Sequence, residues 1–139
     1  MSTMKADIIP ASTTPMKFTR EQPANVNLIR SYSSGELRIG EQVLRASCLL
    51  SGKQLIVDWT PRTASELTLD HFAAAWSWQP EIILLGAGTR PELPTRELYA
   101  AILSRGIGFE VMDIGAACRT FNVLVSENRR VAAGLLLNP

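Results

Sequence analysis

Three short apolar segments alternate with two segments of helical spacing in the second half of the chain. That order constrains the fold more than any other feature. EIILLGAG (81–88) has the length and continuous apolarity of a strand covered on both faces, and IGFEVMD (107–113) and RVAAGLLL (130–137) read as the next two strands. Between them, PTRELYAAILSRG (94–106) places Leu98, Ala101, Ile102 and Arg105 at helical spacing, with Pro94 near its start and Gly106 at its end. GAACRTFNVLVSEN (115–128) reads as a second helix. Helical crossovers between successive strands make those strands parallel neighbours, with right-handed connections. The sequence therefore predicts a β-α-β-α-β layer.

The first half has a different grammar. NVNLIRSY (25–32), Glu36–Ile39, VLRASCLLS (43–51) and KQLIVDW (53–59) alternate in character and are separated by turns at Gly35, Gly40 and Gly52. Four short strands of this kind predict an antiparallel meander. A further helix is expected over TLDHFAAAWSW (68–78), N-capped by Thr68 and stopped by Pro80. The fold class is thus mixed α/β: an antiparallel meander followed by a parallel layer carrying helices. Residues 1–23, rich in Ser, Thr and Pro, read as a flexible tail with a short ordered stretch near Lys17–Arg20, and 24–139 as one domain.

Composition narrows the function. With 14 basic and 13 acidic residues the net charge is +1, which supplies no field for nucleic acid. No polybasic run would hold an anionic membrane, and no apolar run approaches the roughly 20 residues that span a bilayer. The first 23 residues lack the apolar core of a secretory signal and the arginines of a transit peptide, so a cytoplasmic location is expected. Two cysteines make no disulfide framework, and one histidine with two distant cysteines makes no metal site. No cofactor is implied.

Two loops stand out. The one after the first parallel strand carries Gly86, Gly88, Thr89 and Arg90, and the one after the second carries Asp113. Parallel neighbours would bring both loops to one sheet edge, beyond the carboxyl ends of the strands, where open α/β sheets bind ligands. Each loop leads into a helix N-terminus, a setting that favours anions. Cys118, Arg119 and Asn122 follow within the second helix, with Arg119 and Asn122 three positions apart. One reading is a small anion pocket between the 86–95 and 113–122 loops. The other is a pair of tight turns bridged by Arg119 through backbone carbonyls.

GAGTRP is a poor dinucleotide fingerprint, because Pro91 stands where its third glycine would fall. Cys118, near a helix start and beside Arg119, has features that favour a thiolate. Without a positioned base, since His71 lies on another helix, it reads instead as a buried thiol filling the helix–sheet interface. Trp76 fits the core face of its helix. Trp78 and Glu110 are candidates for a protein contact. Gly134, inside an apolar strand, suggests close packing or a bulge.

PEIILLGAGTR (80–90), GIGFEVMD (106–113), ACRTFN (117–122) and the closing RRVAAGLLLNP (129–139), together with DWTP and LTLDHF upstream, are similar to one small α/β family. That family includes the mitochondrial respiratory complex I assembly factor 3. Gly86 and Gly88 match its strand–GTG motif, and Gly106, Ile107 and Glu110 to Asp113 match its second motif. Ala117 to Asn122 match its third. Ala87 and Ile114 stand where the family usually has Thr, removing a hydroxyl donor or helix cap, and Asn128 stands where Gly is common. The resemblance covers about residues 25–139 and implies a three-layer β+β/α fold, no known enzymatic activity and no established cofactor. It implies a non-enzymatic assembly or interaction protein whose partners are subunits of a respiratory or other membrane complex.

Overall fold

In a computed structural model, residues 26–33, 35–88 and 92–137 are described. The expected tail (1–23), Thr89 and Arg90 lie outside the described residues.

Among the described residues eight strands form two sheets. β1 (Ile29–Ser33), β2 (Glu36–Ile39) and β3 (Gln42–Leu44) make a three-stranded antiparallel sheet. β4 (Cys48–Ser51), β5 (Leu55–Ile56), β6 (Ile82–Ala87), β7 (Gly108–Met112) and β8 (Val131–Leu136) make a five-stranded sheet in the order β5-β4-β8-β6-β7. β6 runs parallel to both β7 and β8, as the β-α-β-α-β reading requires. β4 pairs with β8 antiparallel.

The front half departs from a four-strand meander at one place. The predicted third strand, 43–51, breaks at Arg45–Ser47, and the chain crosses from one sheet to the other. Ser47 makes the joint. Fully buried, it accepts a hydrogen bond at Oγ from the Leu137 amide at 3.0 Å and at its carbonyl from the Trp59 amide at 2.9 Å. A buried serine can satisfy main-chain groups that a broken ladder would leave without partners.

The two helices over the second half form as read: α2 (Arg96–Leu103), N-capped by the Thr95 hydroxyl, and α3 (Ile114–Ser126), N-capped by Asp113. The expected helix at 68–78 is shorter and tighter. It is a 3-10 turn (Leu69–Phe72) running into one α-turn, α1 (Ala73–Trp76). Thr68 starts it, and the reciprocal partner is His71, whose Nδ1 accepts from the Thr68 amide at 3.0 Å.

The five-stranded sheet has a core on each side. Strict alternation assigns the residues. Cys48, Leu50, Leu84, Ala133 and Leu135 face α3 and the small sheet, meeting Ala117, Cys118, Phe121, Leu37 and Ile39. Leu49, Ile83, Leu85, Ala132 and Leu136 face the other way, onto Trp59, Phe72, Leu98 and Ile102. The result is three layers, with α3 and the small sheet sharing one outer layer. Gly134 lies under the Trp59 indole: an added Cβ would stand 2.6 Å from its Cη2. The glycine in the strand is therefore a close-packing device.

Candidate functional site

Parallel pairing brings the two loops to one edge. The carbonyl of Gly88, at the end of β6, accepts a hydrogen bond from the Ile114 amide at 3.0 Å, tying the first loop to the first residue of α3. Gly88 has φ +68, a left-handed conformation that suits glycine. Gly86 is there for contact. A Cβ would lie 2.9 Å from the Ala117 Cβ and 3.2 Å from the Ile114 Cα, so the glycine lets α3 settle directly on β6.

The start of α3 is already supplied with acceptors. Asp113 Oδ1 takes the Ala116 amide at 2.9 Å, while its carbonyl takes the Ala117 amide at 2.9 Å. With Ile114 bonded to Gly88, an exogenous anion would meet both a fixed carboxylate and amides already committed.

Arg119 is exposed and leans back along the helix, as long helical side chains do. Its Nη1 and Asp113 Oδ1 each lie 3.4 Å from the Cβ position of Gly115. Among the described residues Arg119 makes no hydrogen bond or ion pair, so neither loop is seen to be clasped by it.

Asn122 is placed elsewhere. Its Oδ1 accepts from the Ile29 amide at 2.9 Å and its Nδ2 donates to the Ile29 carbonyl at 2.8 Å. The carboxamide behaves like a peptide group added to the edge of β1, and joins α3 to the small sheet. Arg119 and Asn122 thus serve different surfaces.

Cys118 is buried at 6% exposure. Burial pushes its thiol up to about 11, against a lowering by the Arg119 guanidinium, and the Asp113 carboxylate adds to the rise. Cys48, in the same core, is pushed up to about 12 by burial, with a further rise from Cys118. Both are protonated at neutral pH, contrary to what a helix start beside an arginine would suggest. Desolvation outweighs the favourable charge. His71 belongs to the opposite side of the sheet, where its carbonyl accepts from Trp59 Nε1 at 2.8 Å.

Glu110 is exposed on β7, at the rim of the five-stranded sheet. Trp78 is half-buried and lies far from the two loops. It lines a pocket of about 280 Å³ at the opposite edge, near the amino ends of β6 and β8. Sequence reasoning missed this pocket, because its walls come from segments separated by up to 105 positions, Val26 to Val131. Among the described residues no three His, Cys, Asp or Glu side chains gather as a metal site, and no helix is long and apolar enough to cross a membrane.

A family model described as a protein of unknown function (DUF498/DUF598) matches residues 29–136. The human NADH dehydrogenase [ubiquinone] 1 alpha subcomplex assembly factor 3 is 33% identical over 129 residues, covering 91% of this chain and 69% of its own length. The bovine protein of the same name is 36% identical over 123 residues, covering 86% of this chain and 65% of its own. The chain therefore spans about two thirds of the length of these relatives. The solution structure of a Xanthomonas campestris protein superposes with a TM-score of 0.74 at 36% identity, covering 88% of this chain and 92% of that one.

Proposed function

The chain belongs to the DUF498/DUF598 family, and from that membership we propose that it is an assembly factor that works by binding protein subunits. The observation that carries this reading is the 33% identity to the human complex I assembly factor, which extends over nearly the whole domain. Its partner in this reading is a subunit of a respiratory NADH dehydrogenase, met from the cytoplasmic side.

The local chemistry supports a binding role. Asp113, Cys118 and Asn122 are the residue types that would suggest catalysis, and each is engaged in capping, packing or joining, while α3 fills the space beside Gly86. Among the described residues of the candidate site Arg119 is the exposed cation. We assign it to the partner surface, together with Gly88 and the adjoining Thr89 and Arg90. An arginine beside a helix start suits an acidic or carbonyl-rich protein surface.

Deleting the gene in the source cell tests the role. A native gel should show loss of the mature NADH dehydrogenase complex and accumulation of a smaller intermediate, restored by re-expression. A normal level of mature complex in the deletion strain would refute the assignment.

A further inference from the structure

The pocket at the amino-end edge has a built division of labour. Its floor is apolar: Val131 is buried, and Trp78 and Val125 are half-buried. Its rim is cationic, with Lys53, Arg129 and Arg130 all exposed. At about 280 Å³ it is at the small end of ligand sites, which run from roughly 300 Å³ upward.

The two arginines are held in place from behind. Arg129 Nε bonds Glu81 Oε1 at 3.0 Å, and Arg130 Nε bonds the Gln79 carbonyl at 2.8 Å. Among the described residues the terminal guanidinium nitrogens of both have no hydrogen-bond partner, and neither has the Lys53 ammonium. Among the described residues Glu81 is the one carboxylate bonded to this group. Hydrogen bonds from the Arg130 amide and the Arg129 side chain hold its pKa below the usual value, and the pocket lining itself carries the three cations.

The neighbouring carbonyls do not need these cations. Asn128, at φ +61, turns the end of α3, and the Asn128 and Arg129 amides bond the Val125 and Leu124 carbonyls at 2.9 Å each. This main-chain pattern satisfies both carbonyls without a side-chain cation, and Ser126 Oγ donates to the Val123 carbonyl beside them. The pocket therefore combines spare cationic donors on exposed rim residues with an apolar floor, a combination complementary to an anion with an apolar body.

We propose that this pocket binds a small organic monocarboxylate, its apolar chain lying on Trp78 and Val131 and its carboxylate between Lys53 and the two arginines. The site is independent of the partner surface assigned to Arg119.

The test is a titration of the ¹⁵N-labelled full chain with sodium hexanoate at constant ionic strength, read at the Trp78 indole N–H, which Trp78→Phe assigns. Saturable shifts confined to this edge are expected. The neutral isostere hexanamide should bind about tenfold more weakly, and Lys53→Gln should weaken hexanoate about threefold with the rest of the spectrum unchanged. Non-saturable shifts would overturn the proposal. So would equal binding of hexanoate and hexanamide, which marks a merely apolar hole. An acetylated Ala-Ala-Leu peptide with a free C-terminus that binds more than about tenfold tighter than hexanoate would overturn the free-acid assignment in favour of a polypeptide terminus.

Discussion

Asn122 of α3 and Ile29 of β1 exchange two hydrogen bonds, amide to Oδ1 and Nδ2 to carbonyl, across 93 positions of sequence. This pair fastens the helix that carries the ACRTFN motif to the three-stranded sheet. Asn122→Ala should lower stability by about 2 kcal/mol, since it removes two bonds and leaves both groups of Ile29 without partners. Asn122→Asp should be no better, because a carboxylate oxygen would face the Ile29 carbonyl. Urea unfolding checks both. A loss below about 0.5 kcal/mol for the alanine variant would show that the joint is held by packing instead.

Gly134 and Trp59 form the corresponding contact on the other side of the sheet. Gly134→Ala should cost about 1–3 kcal/mol, because the new methyl meets the rigid indole well inside van der Waals contact. Trp59→Leu is destabilising alone, through lost area and the lost bond to His71. In the double variant the two losses should sum to less than their separate values. Strict additivity would mean that the clash is relieved elsewhere.

Both thiols should be silent in the native state. At pH 8 neither Cys48 nor Cys118 should react with a disulfide reagent faster than the chain unfolds, and both should react in urea. A fast-reacting thiol in the folded protein would return Cys118 to the list of nucleophiles.

Alkaline pH should weaken the fold. The folded thiols hold their protons up to about 11 and about 12, against 9.0 as the reference, so above pH 9 the unfolded chain binds fewer protons than the folded one. Stability then falls with rising pH through the window from about 9 to about 12. Tyr99, raised by burial and then by the Glu110 carboxylate, contributes in the same direction. Cys48→Ala with Cys118→Ala should flatten the slope in an unfolding series taken across that window.

The strands, helices and their parallel order were legible because apolar periodicity and Gly or Pro punctuation are local signals. Pro94 and Gly106 mark element ends that can be read directly, whereas the caps supplied by Thr95 and Asp113 emerge only in the structure. The break at Ser47 was not legible, because it depends on bonds to Leu137 and Trp59 that only the folded chain supplies. The grouping of Asn122 with Arg119 followed from helical spacing. The position of Ile29, which decides where Asn122 bonds, is a tertiary fact. Cys118 reads from the sequence as a buried thiol at the helix–sheet interface and lies there at 6% exposure; what only the folded chain supplies is how far desolvation outweighs the neighbouring Arg119.

In the proposed assembly role Arg119 serves a partner, while Asn122 serves the fold. Affinity capture from lysate of the source cell, with wild type and Arg119→Ala at equal concentrations of folded protein, tests it most directly. NADH dehydrogenase subunits are expected on the wild type and about tenfold fewer on Arg119→Ala, at an unchanged unfolding midpoint. A stable Arg119→Ala that captures the same subunits in full, or a wild type that captures none, would contradict it.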